Sequence, residues 1–407
     1  MGLLRQTAFV LSWDMAAKAL TALTMILIIR LLDPLEYASY TLAIAVAGVV
    51  VQVLSSAVTR IYVLSYDQLG IAEHPGALLS IELALGLAVP LAVIPVCGVG
   101  LPLGLAVCGL VVSRLASEFV RTEFQRRLAF GGYANLELFR SALFLGAIAM
   151  LAPLGIAEPG AGLVTSAQAL AVAVVTVPFV VRLSLTKGIT RFRAGVSTGK
   201  QLLSPENRYL FGYFCVLAVF VQLDVFMLKA LSDSQNVASY GSASRYYGVL
   251  GMALGAVHAV LLPAVAQSRT RLEIEQLFAK QRIAVVIFAM GVITLVLAAP
   301  SLIPLIDKGR YPESIPVFQV LAVSSIISFA FSPHANVVMR IDRHRFLFYL
   351  ICVGTGINLV LNFVLIPAHG ALGAAFTTLA SATVVNVSTY VRSRRLLASS
   401  EHVLAAK

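Results

Sequence analysis

Runs of about twenty mostly apolar residues recur along the chain, the length an α-helix needs to cross the hydrocarbon core of a bilayer. They fall at about Phe9–Ile29, Ala38–Val58, Gly76–Val96, Leu101–Phe119, Leu136–Leu154, Gly162–Val181, Tyr209–Leu228, Val237–Val265, Ile283–Ile306, Ile315–Met339, Phe346–Ile366 and Ala371–Val391. The pattern predicts an all-α polytopic membrane protein of about twelve transmembrane helices. The first run carries Asp14 and Lys18, is longer than a signal-peptide core and is followed by no small-residue cleavage site, so it reads as a retained span.

The polar positions between the runs set orientation. One alternate set of connections holds Arg5, Arg60, Arg121, Arg126, Arg127, the group from Arg182 to Arg208, Arg269, Arg271, Lys280, Arg282, Arg340, Arg343, Arg345 and the group from Arg392 to Lys407; the other holds little beyond Arg30, Lys229, Lys308 and Arg310. Lys and Arg concentrate on the cytoplasmic side. Both termini are therefore expected in the cytoplasm, with residues 183–207 there too and Ile156–Ala161 and Asp307–Glu313 outside. The 183–207 stretch is the longest connection. It divides the chain into an N-terminal six-helix lobe (1–182), a basic cytoplasmic linker (183–207) and a C-terminal six-helix lobe with a short tail (208–407).

The halves carry a trace of duplication. With a shift of 200 residues, Leu31, Asp33, Ala38, Ser39 and Tyr40 coincide with Leu231, Asp233, Ala238, Ser239 and Tyr240, and Ala43, Gly48 and Val49 with Ala243, Gly248 and Val249. Each half has an even number of spans, so both enter the membrane from the same side. The expected architecture is two lobes related by a pseudo-two-fold axis along the membrane normal, as in transporters built from parallel repeats.

Composition sharpens this picture by exclusion. The chain is 59% hydrophobic and 12% charged, where a soluble domain carries about a quarter charged residues. Its formal charge of +11 would suggest nucleic acid in a soluble chain; here the charges lie between spans and no nucleic-acid partner is expected. Cys97, Cys108, Cys215 and Cys352 sit inside apolar runs without CxxC spacing and read as small core residues. No phosphate loop, nucleophile elbow or HExxH cluster is present, and no metal or cofactor is expected. The short outer connections leave little room for a polymerase or ligase site.

Three segments resemble a known family. Arg30-Leu31-Leu32-Asp33-Pro34-Leu35-Glu36-Tyr37-Ala38-Ser39-Tyr40 is similar to the R-x-L-G-P-x-x-(F/Y)-G-x-Y stretch of Wzx-type flippases for O-antigen and exopolysaccharide repeat units. These belong to the multidrug/oligosaccharidyl-lipid/polysaccharide (MOP) exporter superfamily. Gln222-Leu223-Asp224 leading to Ala238-Ser239-Tyr240 looks like the start of that family's second half, and Asn362 to Ala375 like its N-x-x-L-I-P-x-x-G-x-x-G-A-A link into the last span. Asp33 and Ala38 stand where the family usually has Gly. The resemblance implies a transporter rather than an enzyme. Its substrate would be an undecaprenyl-diphosphate-linked oligosaccharide, moved from the cytoplasmic to the periplasmic leaflet of a bacterial inner membrane. Protons or sodium as driving ion, and a polysaccharide polymerase and chain-length regulator as partners, fit that reading. A drug or cation antiporter of the same superfamily is the alternative.

Charges within spans are costly and are the candidate site. Lys18, Arg30, Arg114, Arg245 and Arg140 are expected on the substrate diphosphate, and Asp14, Glu82 and Asp224 are candidates for ion coupling. Asp14, Lys18 and Thr21 share one helical face, as do Arg114, Ser117, Glu118 and Arg121; Arg140 can pair with Glu137. Ser325, Ser328 and Ser332 form a hydroxyl stripe, and Asn358 with Asn362 an amide pair. Tyr37, Tyr62, Tyr66, Tyr209, Tyr213, Tyr311 and Tyr390 fit an interfacial aromatic belt.

Overall fold

In a computed structural model of the chain, the described residues are 3–65, 75–96, 100–126, 129–151, 153–154, 156, 159–187, 208–268, 270–341 and 344–399. Most of the basic 183–207 segment and the tail from residue 400 lie outside them. The described residues form helices α1 (Leu3–Leu31), α2 (Pro34–Ser65), α3 (Pro75–Val96), α4 (Leu101–Arg126), α5 (Phe130–Ala149), α6 (Ala161–Lys187), α7 (Arg208–Leu231), α8 (Ser234–Gln267), α9 (Arg271–Asp307), α10 (Ser314–Phe331), a 3-10 turn (Ser332–His334), α11 (Ala335–Ile341) and α12 (Arg345–Ser399). Within α12, Gly370 at φ 54° and ψ −132° breaks the helix, so residues 345–369 and 371–399 are two helical stretches.

Seven segments among the described residues are long and apolar enough to cross a membrane: Pro34–Ser55, Leu101–Phe124, Ala161–Arg182, Arg208–Leu231, Arg271–Asp307, Ser314–Ile341 and Arg345–Ser399. The last, at 55 residues, exceeds what a single crossing uses. The all-helical membrane class read from the sequence is thus the observed one.

The chain forms two compact units, Met1–Ala218 and Val219–Lys407, with the division inside α7. In the first, α4 packs against α2, α3 and α6, while α1 packs against α5. In the second, α10 occupies the central place, against α8, α9 and the α12 stretches.

The repeated sequence makes the same local structure in each unit. Asp33 precedes α2 and its Oδ1 accepts from the Glu36 backbone N–H at 2.8 Å; Asp233 precedes α8 and accepts from Asn236 N–H at 2.8 Å. Both are N-caps, satisfying a donor the helix start leaves unpaired. Asp33 thus starts its helix with a capping side chain, which needs no positive φ. Three residues on, the side chain of Glu36 accepts from Ala161 N–H at 2.5 Å and that of Asn236 from Ala371 N–H at 2.7 Å. Each fixes the start of its unit's last helical stretch. Gly370 follows from this contact, since a Cβ there would stand 2.1 Å from Asn236 Oδ1.

Two members of the expected aromatic belt are buried instead. Tyr37 is 1% exposed and Tyr311 fully buried. Tyr37 lies beside the Tyr40 ring at 6.4 Å. Tyr66 lies outside the described residues, as does the Tyr62 side chain.

Candidate functional site

In the second unit the structure gathers polar side chains around Asp224, which is 4% exposed. Its Oδ1 accepts from Asn362 Nδ2 at 2.8 Å and Asn358 Nδ2 at 3.2 Å, and its Oδ2 accepts from the Tyr240 hydroxyl at 2.6 Å and from Thr378 Oγ1. Asn362 Nδ2 also donates to Asn358 Oδ1 at 2.9 Å, and Asn358 Nδ2 reaches Ser381 Oγ at 3.4 Å. Asp224 comes from α7, Tyr240 from α8, the two Asn from one side of the Gly370 break and Thr378 with Ser381 from the other.

Local spacing explains the cage. Asn358 and Asn362 are one helical turn apart and present both amides on one face. Ser381 lies three residues after Thr378 and anchors its own hydroxyl on Thr377 O at 2.8 Å. A buried carboxylate persists only when its lone pairs are satisfied, and here neutral donors fill them. Among the described residues Asn362 Oδ1 has no hydrogen-bond partner. Turning the two amides would offer Asn358 and Asn362 oxygens beside those of Asp224, Thr378 and Tyr240, the all-oxygen donor set that hard cations take.

The first unit keeps the frame and changes the contents. Tyr40 hydroxyl of α2 donates to Gln168 Oε1 of α6 at 3.4 Å, the counterpart of the contact that Tyr240 of α8 makes with Thr378 of α12. At the place of Asp224 by the 200-residue shift stands Thr24, fully buried, with its hydroxyl on Leu20 O at 2.8 Å.

The first unit's charges gather elsewhere. Glu82 on α3 is 5% exposed and has Glu118 of α4 as its electrostatic neighbour. Arg114 on α4 is half-buried and interacts electrostatically with Arg140 and Glu137 of α5, Glu118 and Tyr40. Glu118 pairs with Arg121 at 2.8 Å, and Glu137 pairs with Arg140. Among the described residues the Arg114 Nε–H has no hydrogen-bond partner. Three arginines and these three glutamates therefore share one region of this unit, with Arg121 and Arg140 each paired to a glutamate.

The remaining sequence candidates are more dispersed. Lys18 is half-buried on α1, where Thr21 meets Ser141 of α5 at 3.1 Å. The Asp14 side chain lies outside the described residues. Arg30 occupies the last turn of α1 and Arg245 is half-buried on α8. The hydroxyl stripe of α10 and the 3-10 turn after it packs helices together: Ser328 Oγ accepts from Asn386 Nδ2 at 3.2 Å, and Ser332 Oγ meets His258 Nε2 at 3.0 Å. Tyr240, Asn358 and Asn362 were each visible in sequence, as the end of the stretch that begins at Asp224 and as an amide pair, but nothing in the sequence tied the two amides to Asp224. Thr378 gave no signal.

No protein-family model matches the chain. An uncharacterized membrane protein of Methanocaldococcus jannaschii is 25% identical over 192 residues, 45% of this chain and 45% of that protein; the chain thus spans about half the length of that relative. The lipid II flippase MurJ in an inward closed conformation superimposes with a TM-score of 0.75 at 11% identity, over 94% of this chain and 87% of its own. An inward-facing multidrug resistance MATE family transporter gives 0.66 at 16% identity, over 93% and 94%. A MOP superfamily transporter from Pyrococcus furiosus, described as having a binding pocket of reverse polarity, gives 0.62 at 15% identity, over 97% and 95%. With two helical units, each with a capped helix of the same kind, and likeness over nearly its whole length, the chain has the fold of the MOP superfamily transporters.

Proposed function

We propose that this protein is a cation-coupled flippase for a lipid-linked oligosaccharide. It moves an undecaprenyl-diphosphate-linked repeat unit from the cytoplasmic to the periplasmic leaflet of a bacterial inner membrane, by alternating access of two six-helix lobes with both termini cytoplasmic. No bond is made or broken. The work is to shelter polar groups that each cost roughly 2–7 kcal/mol to take unpartnered into hydrocarbon.

The observation that carries this reading is the Arg114 guanidinium, half-buried in an apolar span, whose Nε–H has no hydrogen-bond partner among the described residues. A cation in a span costs at least ~2.5–3.5 kcal/mol and marks an anionic partner or path. Arg140, Lys18, Arg30 and Arg245 supply further positive charge in this proposal. A guanidinium holds two phosphate oxygens at once, each charge-assisted bond contributing about 1.5–3 kcal/mol. The Asp224 cage supplies the driving ion: a proton or sodium taken there changes the charge at the junction of α7, α8 and the α12 stretches, and so biases one conformation over another.

A cation or drug antiporter is the second reading, favoured by Glu82, buried beside Glu118, and by the MATE likeness. Proteoliposomes containing a fluorescent lipid-diphosphate oligosaccharide separate the two. Flipping is expected from the native protein and abolished in Arg114→Ala at normal insertion. Extrusion of a cationic dye without lipid flipping would establish the antiporter instead.

A further inference from the structure

A second polar site lies in the C-terminal unit, apart from Asp224. A cavity of about 410 Å³ is bordered by Glu275, Arg282, His334, Tyr390 and Arg394. Its floor is rigid for a reason visible in the chain. Pro333 has no N–H, so α10 gives way to a 3-10 turn and the Phe329 carbonyl loses its helical partner. Gln281, buried on α9, donates to that carbonyl at 3.0 Å. The His334 ring stacks on Phe278 at 3.9 Å, meets Tyr390 edge-on at 4.9 Å and holds Ser393 Oγ through Nδ1 at 3.1 Å.

The charge around this floor is surplus positive. Glu275 Oε1 is held by Arg271 at 2.9 Å and reaches Arg394 at 3.6 Å, so a single carboxylate serves two guanidiniums. Arg282 is exposed, and its charge with that of Arg394 acts on the His334 ring. The cavity also opens along lipid-facing surface: Val286, one of its walls, is 57% exposed, and Ile283, Ile287 and Met290 beside it are exposed as well. α9 is the least buried of the seven candidate spans.

We propose that this cavity binds the phosphate group of a membrane lipid, with Arg282 and Arg394 on the phosphate oxygens and the acyl chains along α9 from Ile283 to Met290. The volume suits a head group, which falls in the usual range for small-ligand sites. Basic pockets between helices at a membrane surface take such anions. A free phosphate ester offers the same oxygens without the chains, and the experiment separates the sources.

The full chain in neutral detergent is titrated with phosphatidylglycerol, phosphatidylcholine and glycerol phosphate, reading lipid adducts by native mass spectrometry and the unfolding midpoint. Phosphatidylglycerol is expected to bind at least about tenfold more tightly than phosphatidylcholine, and the Arg282→Gln, Arg394→Gln double variant to lose at least about tenfold. The Lys pair should keep part of the preference. If the double variant does not fold, Arg282→Gln alone is read, because that side chain is exposed. Unchanged phosphatidylglycerol affinity in the Gln variant overturns the site. Glycerol phosphate competing as well as the lipid at equal concentration overturns the lipid source and assigns the pocket to a soluble phosphate ester.

Discussion

Asp224 shows what one residue contributes at three levels. Its carboxylate satisfies donors from three other helical stretches, so it organises packing as well as offering charge. Two substitutions separate these roles. Asp224→Ala strands the Tyr240, Asn358, Asn362 and Thr378 donors and should destabilise the protein by about 3 kcal/mol or more, seen as a lower unfolding midpoint in detergent. Asp224→Asn keeps the shape and should leave that midpoint within a few degrees while abolishing the dependence of transport on pH or sodium. If transport and its ion dependence survive Asp224→Asn, the cage is structural. Gly370 offers a test of local geometry. Gly370→Ala places Cβ against Asn236 Oδ1 and keeps a positive φ that costs roughly 1–2 kcal/mol for an L side chain. Its destabilisation should be partly relieved in the Gly370→Ala, Asn236→Gly double variant, because only the clash disappears. Strict additivity in that double-mutant cycle would mean the two side chains are uncoupled. Single charges were readable in the sequence because an ionised group in an apolar run is conspicuous. The cage was not, since its neutral members lie as far as 154 residues from Asp224 and only folding brings them together.

At the scale of elements, helix starts carried the clearest sequence signal. Asp33-Pro34 and Asp233-Ser234 each pair a capping side chain with a helix that follows at once. Asp33→Ala and Asp233→Ala should each cost about 1 kcal/mol, measured as separate shifts of the unfolding midpoint; a loss at one site only would show that the repeated residues do different work. Helix breaks were less legible. Pro367 lies near an expected span end, but the turn itself falls at Gly370, where the side chain of Asn236 needs the room. The interruption at Ser332–His334 interrupts an apolar run whose composition is continuous; Pro333 alone marks it, and Gln281 from another helix makes it tolerable. A Gln281→Leu change should leave the Phe329 carbonyl unpaired and cost about 1–3 kcal/mol.

For the whole molecule, apolar run length was enough to give the class, because nothing except a helix satisfies its own backbone in hydrocarbon. Orientation rests on the Lys and Arg distribution and is open to direct measurement. Single cysteines placed at 190 and 200 should react with a membrane-impermeant maleimide only after the inner face is opened, and a cysteine at Ile156 should react in intact spheroplasts. Labelling of position 200 from the periplasm would reverse the proposed orientation and with it the direction of transport. The gathering of three arginines with three glutamates in the N-terminal unit was hidden in the sequence. Each pair there is local, but their gathering on α3, α4 and α5 is tertiary.

The repeated cap has one more consequence. Because one chain contains two copies of the same frame, it carries its own internal control. Where the copies agree at the helix start, as at Asp33 and Asp233, the residue does the same capping work in each unit. Where they disagree, with Thr24 against Asp224 and Gln168 against Thr378, the copies have specialised. The N-terminal half is thus a natural background onto which the acidic cage can be grafted residue by residue, and the C-terminal half one from which it can be erased. Two like frames in the same polypeptide, folded in the same membrane and expressed at equal dose, make that exchange an experiment without a confounding host.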